Sequence, residues 1–150
     1  ENPIPPFEKY FNIFRHELRL PAGCQLHFEL GRSIVGQCGT LIARTLYVKE
    51  GRSRKFVIVD AGFTDLIRPA MYGSHHFTEN LTAATRPEAA LQPYDVVGPI
   101  CESSDVFSRD ELLPTTLRDD LIAFLSAGAY GEAMSSCYNC RPLPKSYFSE

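Results

Sequence analysis

A thiol and a carboxylate stand side by side in Gly98-Pro99-Ile100-Cys101-Glu102-Ser103-Ser104-Asp105, directly after the alternating run Tyr94-Asp95-Val96-Val97. The Gly-Pro pair ends a strand and opens a turn. A strand fixes the position and a turn exposes the side chains, so Cys101 and Glu102 suit a site needing a proton donor and an anionic anchor. The same residues also fit a plain surface turn with a buried cysteine, because free Cys is among the most buried residue types. A second chemical pair is Arg68 and Tyr72, four residues apart in Asp65-Leu66-Ile67-Arg68-Pro69-Ala70-Met71-Tyr72 and therefore on one face of a helical turn. Arg68 could grip an acid through two parallel hydrogen bonds, or it could salt-bridge within its own fold. A third candidate is Tyr130, which stands in Ser126-Ala127-Gly128-Ala129-Tyr130-Gly131, where small residues let backbone or ligand approach closely.

Other suggestive residues carry less. His75-His76 lacks a third ligand at a telling spacing, and adjacent side chains point apart in a strand, so the pair reads as a surface pair. Cys137-Tyr138-Asn139-Cys140 has redox or zinc spacing without a second Cys pair or a nearby His. Lys49-Glu50-Gly51-Arg52-Ser53-Arg54-Lys55 holds four cations and no aromatic residue, which suits a solvated hairpin loop better than a phosphate or nucleic-acid patch.

These groups need elements to hold them. A length of 150 residues with 44% hydrophobic residues suits one domain with a sizeable core. A net charge of -3 argues against a general nucleic-acid binder, and no apolar run reaches a membrane span. With no signal-peptide pattern, the expected compartment is the cytoplasm, where five irregularly spaced cysteines are thiols. The Asn80-Leu81-Thr82 sequon is then accidental. Phe7, Tyr10, Phe11 and Phe14 follow a proline run at helical spacing and predict an amphipathic helix of about three turns. Residues 25–29 alternate like a short strand before the glycine loop Gly31-Arg32-Ser33. Further strands are expected at Ile34-Val35, 40–48 and 56–60, then at 94–97 after a polar stretch running from a strand edge into a loop at 78–92. Residues 107–116 read as a charged loop and 117–124 as a strand or short helix. One helix and one strand cannot bury their own faces, so the sequence reads as a piece of a longer protein.

Five stretches in order carry a resemblance: Phe28-Glu29-Leu30-Gly31-Arg32-Ser33; Asp60-Ala61-Gly62; the Asp65 to Tyr72 segment; the strand and turn from Tyr94 to Ser103; and Ala127-Gly128-Ala129-Tyr130-Gly131 with Tyr138-Asn139-Cys140-Arg141-Pro142. They resemble the C-terminal part of the fold-type III pyridoxal-phosphate decarboxylases, specifically the meso-diaminopimelate decarboxylase family of lysine biosynthesis. The resemblance implies a mainly β chain with flanking helices (α+β). Its core would be a C-terminal β-barrel like that of alanine racemase, preceded by the last helix and strand of an otherwise missing (β/α)8 barrel. Residues 1–32 would be that barrel remnant, 33–126 the β-domain, and 127–150 a segment returning to the barrel and closing the β-domain.

The implied reaction releases carbon dioxide from meso-2,6-diaminopimelate to give L-lysine, with pyridoxal 5'-phosphate as cofactor and an active site shared across a homodimer. Cys101 would protonate the substrate carbon in the partner subunit's site, a task suited to a thiol proton. Arg32, Arg68 and Tyr72 would hold the distal carboxylate and Glu102 the ammonium group. Tyr130 would touch both cofactor and substrate, and Glu29, Leu30, Gly31 and Arg32 would form the loop beside the cofactor phosphate. No metal, nucleic acid or membrane enters. Two departures stand out. Leu30 replaces the proline of the family's Glu-Pro-Gly-Arg, and Ser136-Cys137-Tyr138-Asn139 stands where the family has Ser-Asn-Tyr-Asn. The family's Schiff-base lysine lies outside this chain, since Lys9, Lys49, Lys55 and Lys145 sit in no matching motif, so this piece alone should be inactive. The alternatives are an ornithine- or arginine-type decarboxylase of the same fold, against which Glu102 and Arg68 argue, and a non-catalytic regulatory or assembly module.

Overall fold

The long strand β1 (Leu41–Glu50) serves two neighbours at once. Its first residues, Leu41 to Arg44, pair antiparallel with β6 (Leu121–Phe124), while Thr45 to Glu50 pair antiparallel with β2 (Lys55–Val59). A register shift between Thr45 and Tyr47 separates the halves, and such a bulge bends the strand and strengthens its twist. In this computed structural model, which describes residues 6–86 and 88–149, the bend curls a six-stranded sheet of order β3-β6-β1-β2-β4-β5 into a nearly closed barrel. The remaining strands are β3 (Thr78–Asn80), β4 (Leu91–Val97) and β5 (Val106–Pro114). The β2–β4 pairing is parallel.

Alternation drives the burial. Val57 and Val59 of β2, Val96 of β4, Leu113 of β5 and Ile122 and Phe124 of β6 point into a core that Leu66 caps. Phe107 stacks on Phe124 with ring centroids 4.3 Å apart. Side chains tie the end of β3 to the segment between β5 and β6: Asn80 donates to the Thr116 hydroxyl at 3.0 Å and to the Asp120 carboxylate at 2.9 Å. Asp120 also accepts the Leu117 N–H and pairs with Arg86 at 2.5 Å.

Several expectations need correction. Residues 107–114 are not a loop: they belong to β5, whose alternation is broken where Asp110 takes a positive φ of 51°, and only 115 and 116 of the expected loop lie outside it. The buried Asp95 carboxylate accepts the Asp110 N–H there and is held by Arg54 at 2.9 Å and Arg109 at 3.4 Å. Arg54 thus leaves the solvated loop to which its sequence neighbours belong. Ile34 and Val35 are helical, in the short α2 (Arg32–Val35), because the Gly31 carbonyl accepts their N–H groups. Residues 25–29 form no ladder with any described segment. Strand β6 begins only at Leu121, after a turn at 117–120. His76 is buried and donates Nδ1–H to the Leu125 carbonyl at 2.8 Å, so only His75 of the pair is a surface residue.

The helix expected from the aromatic spacing is α1 (Phe7–Glu17). Phe28 reaches back to it, with ring centroids 4.8 Å from Phe11 and 4.9 Å from Phe14. The proline run at 2–5 and Pro87 lie outside the described residues.

Candidate functional site

Two groups of side chains gather at the two ends of the segment from Gly62 to Tyr72. The first is built on the helix α3 (Arg68–Tyr72), which Pro69 starts in its first turn and Gly73, at φ 61°, ends. Its single full turn puts the Arg68 guanidinium over the Tyr72 ring, 5.4 Å from the centroid. The same guanidinium lies 5.9 Å from the Tyr130 ring centroid and donates to the Ser74 hydroxyl at 3.2 Å. Arg68 is half-buried yet has no carboxylate partner among the described residues. A guanidinium resting on aromatic faces keeps its forked donors free for an incoming carboxylate.

Tyr130 is delivered by the chain crossing at Gly39 and Gly128. Ala127 N–H donates to the Gly39 carbonyl and Gly128 N–H to the Gly36 carbonyl, at 2.8 and 3.0 Å. A Cβ on Gly128 would lie 2.2 Å from the Val35 carbonyl oxygen, so the small-residue run is there for backbone-to-backbone approach. Beyond it Tyr130 takes φ 66° and aims its hydroxyl at the Gly31 loop, where a Cβ on Gly31 would meet that oxygen at 2.8 Å. Arg32 follows at once, exposed and without a carboxylate partner among the described residues. Gly31, Arg68, Tyr72 and Tyr130 are therefore one corner, with Arg32 at its edge. Glu29 is exposed, with no ion pair among the described residues, and Leu30 is half-buried. Close by, burial holds the His76 proton affinity low; the Leu125 carbonyl opposes this, while Arg68, His75 and Arg32 add to it. His76 is neutral at pH 7 and adds no charge to the corner.

The second group is the turn after β4. Cys101 and Glu102 are both exposed, which settles the choice between a buried cysteine and a presented one. Tyr138 donates its hydroxyl to Glu102 Oε1 at 2.5 Å and packs its ring against Phe63 at 5.7 Å. The Glu102 carboxylate raises the Tyr138 phenol above its usual range. Arg141 follows and caps the other side of the 60–65 turn, bonding the Asp60 carbonyl and lying 3.8 Å from Asp65. No contact joins Cys101 or Glu102 to Arg68, Tyr72 or Tyr130 among the described residues. The sequence reading gave Tyr138 and Arg141 no role, although both lie in a quoted stretch; an aromatic hydroxyl and a cation flanking two cysteines were the available signal. Cys137 and Cys140 are exposed free thiols, and no group of three or more metal-ligating side chains occurs among the described residues.

An arginine without a carboxylate partner, a hydroxyl over a glycine loop and an adjacent exposed arginine form a corner for anions on a barrel-like sheet. The model of the pyridoxal-dependent decarboxylase C-terminal sheet domain matches residues 27–128, and the chain belongs to that family. Its relatives include the diaminopimelate decarboxylase of Bacteroides thetaiotaomicron, 56% identical over 147 residues, which are 98% of this chain and 37% of the relative. Among solved structures, the Helicobacter pylori diaminopimelate decarboxylase complexed with L-lysine is 46% identical with a TM-score of 0.70, covering 77% of this chain and 27% of that one. The M. jannaschii enzyme in co-complex with L-lysine is 33% identical with a TM-score of 0.74, covering 91% and 30%. The chain thus spans about a third of the length of the curated relatives it matches.

The corner fits part of the cofactor that the family name implies. A phosphate ester needs cationic and hydroxyl donors beside a loop without side-chain bulk, and Arg32, the Tyr130 hydroxyl and Gly31 supply those. No lysine contacts this corner among the described residues; Lys55 is engaged by Gln92 and by Glu50 at 3.2 Å.

Proposed function

We propose that the chain is the C-terminal part of a decarboxylase subunit that converts meso-2,6-diaminopimelate to L-lysine and carbon dioxide. The observation that carries this reading is Arg68, half-buried against two tyrosine rings and lacking a carboxylate of its own. A substrate carboxylate would complete it, with Arg32 and Tyr72 as further donors. Glu102 takes the ammonium group at the same distal carbon, its carboxylate held in place by Tyr138. The Gly31 loop, Arg32 and Tyr130 hold the phosphate end of pyridoxal phosphate, which when bound supplies an electron sink for the pair of electrons left after carbon dioxide departs. Cys101 gives its thiol proton to the substrate carbon.

No contact joins the two groups among the described residues of one chain, and in our reading they meet across a symmetric homodimer, each subunit lending Cys101 and Glu102 to its partner's corner. Residues 1–32 then belong with the cofactor-binding barrel, 33–126 form the β-domain, and 127–150 lead back toward the barrel. Five exposed free thiols suit the reducing cytoplasm. Whole subunits carrying Cys101→Ala, co-expressed with subunits carrying Arg68→Ala, test the arrangement. If sites are shared, each mixed dimer has one intact site and random pairing restores about a quarter of wild-type activity. If each site is built within one subunit, the mixture stays as inactive as either variant.

A further inference from the structure

One buried carboxylate belongs to neither group of side chains. Asp105 is 3% exposed, at the far end of the turn that carries Cys101 and Glu102. Its Oδ2 accepts the Ile100 N–H at 2.7 Å, and its own N–H donates to the Glu102 carbonyl at 3.1 Å. Cys101 is thus flanked on both sides by residues whose backbones are bonded to Asp105. The other oxygen, Oδ1, accepts the Phe63 N–H at 2.6 Å, and Phe63 packs on Tyr138, the residue that holds Glu102. There is no slack around this carboxylate. A Cβ on Gly98 would lie 2.2 Å from Oδ2, although Gly98 has no positive φ that would itself demand glycine.

We infer that Asp105 is a positioning residue for proton delivery: its carboxylate locks the Cys101–Glu102 turn to the Phe63–Tyr138 pair, so that thiol and carboxylate are presented in one fixed relation. The inference rests on the proposed role of Cys101 as proton donor. A carboxylate is suited to this because it accepts through both oxygens. An amide in its place keeps one acceptor and turns its NH2 toward the other backbone N–H, which then has no partner. Burial pushes the Asp105 carboxyl above the usual carboxylate range against the opposing pull of the Ile100 and Phe63 N–H groups and Arg141, with Asp65 adding to the rise. On protonation the carboxyl loses part of its capacity to accept, so the lock loosens toward acid pH.

The test uses whole decarboxylase subunits with Asp105→Asn and, separately, Gly98→Ala, which crowds the carboxylate while leaving it in place. Both should lower kcat for meso-diaminopimelate about ten-fold or more, as expected when a buried donor is left unpaired, while KM and cofactor absorbance change little. Iodoacetamide labelling of the Cys101 peptide, followed by mass spectrometry with the Cys24 peptide as internal reference, should shift in rate in both variants. The acid limb of the kcat profile should move in Asp105→Asn. Wild-type kcat and labelling in either folded variant would overturn the inference. So would parallel loss of kcat, cofactor binding and thermal stability in both, which would make Asp105 a stability element alone. If the wild-type subunit itself fails to decarboxylate meso-diaminopimelate, the functional reading falls, while altered Cys101 labelling would still report the lock.

Discussion

Arg68 is a half-buried cation whose partners among the described residues are all uncharged. Two aromatic faces and one hydroxyl hold its guanidinium, none of which neutralises it. A half-buried cation left this way gains from any carboxylate that reaches it, and the gain is larger than at the surface because solvent screens it less. Cys101 is the opposite case: it is exposed, and the turn around it is tied down on both sides. For the proton donor we propose, position matters more than surroundings, since a general acid works only within hydrogen-bond reach of the atom it protonates. In a whole subunit, Cys101→Ala should therefore lower carbon dioxide release about 100-fold or more while leaving the cofactor absorbance spectrum unchanged. Near-normal release would remove Cys101 from the reaction. Both residues were visible in the sequence as chemistry-bearing pairs, Arg68 with Tyr72 and Cys101 with Glu102. Asp105 was quoted in the same stretch without a role, because what gives it one is a bond to Phe63, 42 residues away.

Among the elements, those with unbroken periodicity were legible. The aromatic spacing of α1, the apolar runs of β1 and β2 and the Tyr94-to-Val97 stretch of β4 all stand where alternation or helical spacing puts them. What misled was local composition under a long-range constraint. Ser108, Arg109, Asp110 and Glu111 look like a loop, yet they form strand because Asp95, Arg54 and Arg109 satisfy the bulge at Asp110. Ile34 and Val35 look like strand and are helical, since the Gly31 carbonyl captures their N–H groups before any ladder forms. The tie between β3 and the turn before β6 was not readable either: it depends on the Asn80–Asp120–Arg86 network, whose bonded pairs are 40 and 34 residues apart.

That network and the Asp95 cluster make stability pH-dependent. Burial disfavours the charged forms of Asp120 and Asp95. At Asp120 the Asn80 amide, the Leu117 N–H and Arg86 outweigh it, and at Asp95 the Asp110 N–H, Arg54 and Arg109 do so, holding both carboxyls below the usual carboxylate range. A depressed folded-state pKa means that the unfolded chain binds protons first. The stability they contribute is present above the unfolded carboxylate value of about 4 and is lost as pH falls through the folded values. Asp105, with its raised carboxyl, works in the other direction, losing stability as pH rises through its folded value. Urea midpoints should accordingly be lower at pH 3 than at pH 6, and Asp120→Asn should flatten part of that difference; an unchanged slope would show that Asp120 titrates alike in both states.

At the scale of the whole molecule, this chain is about a third of the length of the relatives it matches. It carries the Arg68–Tyr130 corner at one end of the Gly62-to-Tyr72 segment and, at the other, the Tyr138 contact with the thiol–carboxylate turn. In the proposed homodimer a two-fold axis would bring one subunit's turn to the other's corner. In the proposed reading a molecule with an ammonium and a carboxylate at its far end would satisfy Glu102 and the Arg32–Arg68 pair together, whereas ornithine and lysine would leave the arginines unpaired. Losing such a charge-assisted contact in a closed site costs about 2 to 5 kcal/mol, roughly 30-fold to several thousand-fold in rate. The most direct measurement is kcat/KM for carbon dioxide release by the whole subunit, loaded with pyridoxal phosphate, from meso-diaminopimelate, ornithine, arginine and lysine. A preference for meso-diaminopimelate of about 30-fold or more over each of the others is expected; a higher kcat/KM with ornithine would contradict the proposed function.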